Sequence, residues 1–209
     1  MAPRATSTAR WPSAIILLHW VMALALGVML WAGFAMTSAA HVAETTGDFS
    51  ITVLGLRLFD AYQLHKSVGV VLFALVLTRT VVRFRLKGPD LPSDLTRLEQ
   101  IAATTVQLAL YALMLGMPIT GWLLAASSTL SIPTMVFGLF ELPHPIGPDA
   151  EREAALAFVH WAGAWAMIIL AALHTAAALK HHFFDRNDIL QAMLPERSTT
   201  HRRRSHHAD

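Results

Sequence analysis

Four long apolar stretches constrain this chain more than anything else in it. They run approximately over Ser13–Met36, Ser67–Val82, Ile101–Ala126 and Ala154–Leu179. A helix of about 20 apolar residues crosses the hydrocarbon core of a bilayer, which is about 30 Å thick. No water reaches that core, so each crossing backbone must satisfy its own N–H and C=O groups, and four such segments predict a helical bundle. Composition agrees: only 14% of residues are charged and mean hydropathy is +0.48, against about 25% charged in an ordinary soluble domain. The fold expected is all-α, an integral membrane four-helix bundle. Met1–Pro12 precedes the first stretch without a convincing cleavage site, so that stretch reads as a retained helix rather than a signal.

Charge orients the bundle. With the N-terminus inside, segments 1–12, 83–100 and 180–209 hold 12 Lys and Arg and seven acidic residues. The outer segments 37–66 and 127–153 hold three basic and seven acidic residues, and Arg79 lies near the inner end of the second span. Omitting Arg202–Arg204 still leaves nine basic residues against three. The positive-inside rule then puts both termini of this multi-pass chain in the cytoplasm. Residues 1–195 form the membrane domain, and 196–209 form a basic tail suited to anionic lipid.

The chemistry-bearing residues inside the spans are histidines. His160 and His174 lie 14 residues apart in the last span. At about 100° per residue they return to within roughly 40° of one face, separated by a rise of about 21 Å. His19 sits near the inner end of the first span and His65 at the outer end of the second. Because the helices alternate in direction, depth sorts the four into an inner pair, His19 and His174, and an outer pair, His65 and His160. A buried histidine can be merely a hydrogen-bonded core residue, but polar groups inside a membrane are costly and mark function by default. Gly69, one turn after His65, is expected to clear space beside the imidazole. Gly163, Ala164, Met167 and Ala171 lie on the shared face of the last span, where small residues serve helix packing or admit a flat macrocycle.

Two neutral imidazoles on opposite sides of an iron make a six-coordinate b-type haem suited to electron transfer. Zinc is the competing ligand reading. It usually recruits Cys or acidic ligands as well, and the chain has no cysteine and no acidic residue inside any of the four stretches. The lack of cysteine also excludes disulfides, iron–sulfur clusters and covalent haem attachment. Arg79, 14 residues after His65, is a candidate partner for a haem propionate, with snorkelling to inner phosphate groups the alternative. Lys66 is a candidate near the outer haem. Gln107 and Tyr111 are expected to line a pocket, and Pro118 to kink the third helix. The outer loops are read as 37–62 and 126–153, the second lying along the interface or capping the outer site. His41 and His144 read as loop residues. The stretch KHHFFDRNDILQAMLP, 180–195, reads as an amphipathic inner-surface helix with His181 and His182 interfacial.

Several stretches together resemble the bacterial cytochrome b561 family: LLHW (Leu17–Trp20), HKSVG (His65–Gly69), TRTVVRF (Thr78–Phe84), LYALMLGMPITGW (Leu110–Trp122), VHW (Val159–Trp161) and LHTAAALKHHFFDRNDILQAMLP (Leu173–Pro195). They occur in the family's order and cover nearly the whole chain. The resemblance implies a di-haem membrane cytochrome with His19, His65, His160 and His174 at the haem-ligand positions. It also implies two haem b groups, exchange of electrons with ubiquinone and, in one branch, oxidation of periplasmic superoxide. Relatives often carry histidine where this chain has Gln107, which puts the role of that position in doubt. The partners expected are membrane lipid, quinone, superoxide as a small-molecule donor and a protein redox partner, with no nucleic acid. Two alternatives stay open: a haem b relay subunit of a larger hydrogenase or dehydrogenase, and a non-redox metal or proton transporter.

Overall fold

A computed structural model describes residues 10–86, 88–89 and 95–195 of the chain; the basic tail at 196–209 lies outside them. Four helices dominate: α1 (Ser13–Thr46), α2 (Leu58–Arg85), α3 (Arg97–Ser127) and α4 (Ala150–Phe183). All four are long and apolar enough to cross a membrane. Two short antiparallel hairpins interrupt them, β1 (Thr52–Val53) with β2 (Leu56–Arg57) and β3 (Thr134–Val136) with β4 (Phe140–Leu142).

The helices outrun the apolar stretches that announce them. α1 continues beyond Met36 to Thr46, and α2 starts at Leu58 rather than near Ser67. Hydropathy marks where lipid begins and ends, whereas a helix needs only continuing backbone bonds, so polar turns project past the bilayer. His41 is therefore exposed on a helix rather than in a loop, and His65 lies in the third turn of α2. α1 stops at Gly47, whose φ of 71° supplies the left-handed C-cap. The β1–β2 loop, Leu54–Gly55, has φ of 56° and 75°, positive at both positions as the tightest hairpin turns require.

Local caps fix the other helix starts. Thr96 and Glu99 form a capping box at α3, and the Asp149 carboxylate accepts from the Arg152 backbone N–H at α4. Acidic residues at the start of α4 and Lys180, His181 and His182 at its end complement the helix dipole. Pro118 sits within an unbroken α3, where its missing N–H leaves the Met114 carbonyl without its helical donor.

The packing is inside-out relative to a water-soluble bundle. Leu24, Leu108 and Ile169 are largely exposed, while Ile15, Met22, Val76 and Met167 form the fully buried interior. Lipid solvates the first set. α1 packs along α2, α2 along α3 and α3 along α4. Gly163 lets α4 approach α3 closely: a Cβ there would stand 2.6 Å from the Met117 sulfur. α4 stands off from α1 and α2, which it meets through large rings such as Phe34 against Trp165.

The second outer loop contains the β3–β4 hairpin, which docks on α2. Gln63 Nε2 donates to the Pro133 carbonyl (2.8 Å), Gln63 Oε1 accepts from the Met135 N–H (3.1 Å), and Ser67 Oγ accepts from the Phe137 N–H (2.9 Å). Two helix side chains thus satisfy a strand edge that would otherwise be left unpaired. At the other end of the bundle, 184–195 is not an amphipathic helix. α4 ends at Phe183, and the chain turns back into a short 3-10 helix, Gln191–Met193. It is tied beneath α1 by the Trp11 N–H to the Ala192 carbonyl (3.1 Å), Trp20 Nε1–H to the Met193 carbonyl (2.7 Å) and Arg10 to the Leu194 carbonyl (3.2 Å). With that segment folded over it, His181 is buried (8% exposed) rather than interfacial.

Candidate haem sites

The four intramembrane histidines meet in two pairs. His19 of α1 faces His174 of α4 with ring centroids 6.2 Å apart and planes at 70°. His65 of α2 faces His160 of α4 at 6.4 Å and 72°. Two imidazoles sharing one metal, each with a metal–nitrogen bond of about 2.0–2.1 Å and a ring radius of about 1.1 Å, would have centroids about 6.3 Å apart. Both pairs have that spacing, and α4 stands off from α1 and α2 where a flat macrocycle needs room.

Glycines and a threonine shape the His65–His160 pair. A Cβ on Gly33 would lie 3.5 Å from His65 Cε1, and one on Gly121 would lie 3.1 Å from His160 Cε1. Gly69 does not perform the role expected of it: its nearest neighbour is the Met29 methyl at 4.0 Å. It lies on the His65 side of α2, but contact with the ring comes from α1. Thr120 Oγ1 lies 3.1 Å from His160 Nδ1 and gives its own proton to the Met117 carbonyl (3.0 Å). With that proton committed, the hydroxyl oxygen accepts from His160 Nδ1–H. His160 then keeps Nε2 as its free lone pair, the tautomer a metal requires. His65 Nδ1 is buried and has no hydrogen-bond partner among the described residues.

Near the His19–His174 pair, Arg79 Nε donates to the Tyr111 hydroxyl at 3.0 Å. This bond ties the α2 guanidinium to α3. Gln107 is exposed on α3, so it does not line an interior pocket with Tyr111; it faces outward from the bundle. Lys66 is partly buried beside His65, with Nζ 3.5 Å from Thr134 Oγ1, which also contacts His144 Nε2 at 3.1 Å.

The family model described as prokaryotic cytochrome b561 matches residues 10–196. The chain belongs to that family. Cytochrome b561 homolog 2 of Escherichia coli K12 is 34% identical over 140 residues, 66% of this chain and 73% of the relative. Cytochrome b561 homolog 1 of the same strain is 28% identical over 193 residues, 90% of this chain and 98% of the relative. A probable superoxide oxidase CybB of Yersinia pestis is 25% identical over 134 residues, 64% of this chain and 74% of the relative. Membership of the cytochrome b561 family makes this a membrane haem protein of electron transport, and the family's cofactor is haem b. Four apolar helices and that membership point to the bacterial inner membrane.

Sequence spacing already singles out the four histidines. Gly33, Thr120 and Gly121 escape it, because each acts on a histidine carried by another helix. GMPITGW contains two of them, and its pairing with His160 appears only when α3 lies against α4.

Proposed function

We propose that this chain is a di-haem b electron carrier that takes electrons from a donor at its outer face, with superoxide the leading candidate, and passes them to ubiquinone. The observation that carries this reading is the pair of histidine couples, 6.2 and 6.4 Å between ring centroids, whose α4 members lie 14 residues apart. His65 and His160 would hold the outer haem, and His19 and His174 the inner. Haem b held by the two histidines of each pair would supply a one-electron iron couple there.

The chain's own residues then orient and insulate. Thr120 fixes the His160 ring through Nδ1, and Gly33 and Gly121 keep Cβ atoms off the imidazoles. Arg79, held by Tyr111, supplies positive charge near the inner pair, where propionates carry negative charge. Lys66 is the nearest basic residue in sequence to an outer ligand. The outer segments hold three basic and seven acidic residues, so attraction of an anionic donor would be local to Lys66 rather than spread over the surface. The excess of Lys and Arg in the segments read as inner supports cytoplasmic termini.

A reduced-minus-oxidised spectrum with iron quantification tests the cofactor assignment, with two b-type haems per chain expected. Absence of a sharp reduced α band would overturn it. Addition of superoxide to the isolated oxidised protein should then reduce the haem rapidly. No reduction, with a stable co-purifying redox partner, would replace this reading with that of a relay subunit.

A further inference from the structure

α2 turns one polar face toward the β3–β4 hairpin. Gln63, Lys66 and Ser67 are spaced so that they share that face. Gln63 and Ser67 hold the strand backbone on either side of Lys66, through Pro133 and Met135 and through the Phe137 N–H. Lys66, between them, finds a hydroxyl as its hydrogen-bond partner, with Nζ 3.5 Å from Thr134 Oγ1. Thr134 is buried, and its Oγ1 is also 3.1 Å from His144 Nε2. Half-buried His144 is held in place from α3, where Trp122 Nε1–H donates to the Pro143 carbonyl at 3.1 Å.

Charge sets Lys66 apart from the other two cations of segments 37–66 and 127–153. Arg57 donates from Nε to Asp60 at 2.8 Å. Arg152 stands 3.7 Å from Asp149 and donates to Ser127 Oγ at 3.0 Å. Lys66 pairs with no carboxylate among the described residues. An ammonium carries three N–H donors, and Thr134 accepts one of them. A half-buried cation with donors left over is costly unless an opposite charge shares its site. One uncompensated charge calls for one negative charge, and the hairpin lying over α2 leaves room only for a small ion.

We infer that Lys66, Thr134 and His144 form a binding site for a small monovalent anion beside His65, the site that superoxide occupies as electron donor. The inference rests on the superoxide reading above. Lys66 holds the anion. Thr134 and His144 act through Lys66 and are positioning residues: the hydroxyl steers the ammonium, and the imidazole steers the hydroxyl. Lys66 directly follows His65 in the chain, so the anion waits next to a ligand of the outer site. Each superoxide loses one electron there and leaves as O2; ubiquinone gains two such electrons and two protons and leaves as ubiquinol. No proton moves at Lys66. The product O2 is neutral, so the attraction that holds the reactant does not retain the product. A donor carried on a protein surface could not bring its charge beneath the hairpin, and the site thereby selects a small donor.

The test uses the full-length protein with both haems loaded, in a non-ionic detergent, and two separate readouts. The first is the chloride NMR line width with anaerobically reduced protein, whose low-spin ferrous haems are diamagnetic; broadening reports chloride held by the protein. The second is the rate at which superoxide reduces the oxidised haems in stopped flow. Expected is chloride broadening that added nitrate removes and that Lys66→Met lacks. Lys66→Met should also be reduced by superoxide about tenfold more slowly at low ionic strength, the low end of what electrostatic attraction contributes. Thr134→Val keeps the volume and loses the hydroxyl, and should slow reduction by about two- to tenfold, the effect of one hydrogen bond. Arg57→Gln removes an equal charge that Asp60 already neutralises, and should match the unaltered protein in both readouts. Equal losses in Arg57→Gln and Lys66→Met would overturn the inference, since a diffuse surface field predicts them. Full chloride broadening or an unaltered superoxide rate in Lys66→Met would overturn it too. If Lys66→Met loses a haem signature, Thr134→Val decides alone, and unaltered behaviour there in both readouts overturns the site. Failure of superoxide to reduce the unaltered protein, with chloride broadening still dependent on Lys66, would instead overturn the superoxide reading and support the anion site by itself.

Discussion

Thr120 accepts a hydrogen bond from His160 and thereby selects its tautomer. The hydroxyl oxygen lies 3.1 Å from Nδ1, and its own proton goes to Met117. His65, the opposite member of the outer pair, has a buried Nδ1 with no such acceptor among the described residues. Thr120→Val removes the acceptor at nearly constant volume. Outer-shell partners of this kind typically contribute about 10–100-fold in affinity or activity. A redox titration resolving two haems should show the outer haem shifted to higher potential, because a less basic imidazole stabilises the oxidised iron less, and the inner haem unmoved. Equal shifts in both would contradict the assignment.

Removing one ligand at a time separates the pairs. His160→Ala should abolish the outer haem and spare the inner, and His174→Ala the reverse, each lowering iron from two to one per chain. Loss of both haems from either substitution would count against independent sites.

The glycines next to the outer pair differ in how much room they leave. At Gly121 a new methyl group would meet His160 Cε1 at 3.1 Å, tighter than ordinary contact, whereas at Gly33 it would meet His65 Cε1 at a normal 3.5 Å. Gly121→Ala should therefore destabilise the outer site by about 1–3 kcal/mol, the usual range for overpacking, and Gly33→Ala by clearly less. Thermal loss of the outer haem's absorbance ranks the two, and the reverse order would show that the rings sit differently.

The C-terminal turn should hold in neutral buffer and loosen in acid. The Lys180 ammonium beside Asp185 keeps its carboxyl below the ordinary carboxylate range, helped by the His181 contact. A group depressed in the folded state adds stability that is fully present above its unfolded value, about 3.9, and is lost as pH falls through the lower folded value. Protease accessibility of 184–195 should therefore rise only below about pH 4. In Asp185→Asn it should already be raised at neutral pH and show no such acid step.

Trp20 ties that same segment beneath α1 through Nε1–H to the Met193 carbonyl at 2.7 Å. Trp20→Phe keeps the ring and loses the donor, a net cost of about 0.5–1.5 kcal/mol. Faster amide exchange at 190–195, with the outer haem's potential unchanged, is the expected result.

Much of this was legible in the residues. Hydropathy located four helices, because lipid rewards apolar length, and depth along alternating helices is the signal that groups His19 with His174 and His65 with His160, whose rings face one another. Hydropathy failed at the ends: the polar turns 37–46 and 58–66 carry no membrane signal, yet α1 and α2 run through them. The hairpin on α2 was hidden because its partners, Gln63 and Ser67, look like ordinary polar residues until a strand edge lies against them. The stretch 180–195 misled for a related reason. Its alternation of apolar and charged residues fits a surface helix, but its carbonyls bind Arg10 and Trp20, residues distant in the chain. Gly33 and Gly121 could not be found from α2 or α4, since a side chain's absence matters only to what approaches it from another helix.

α4 supplies one histidine to each pair, which makes it a ruler as well as a wall. Phase and length along that helix are locked together. One residue inserted between His160 and His174 would swing one ring by about 100° from its partner and leave a single-haem protein. Seven inserted residues would keep both rings in phase but move the sites about 10 Å further apart, lengthening the electron's path while leaving each site intact. Away from the packed positions Gly163 and Met167 the segment can therefore drift in side-chain identity but hardly at all in residue count, and an aligned relative with a gap between these two positions should lack one of the two haems.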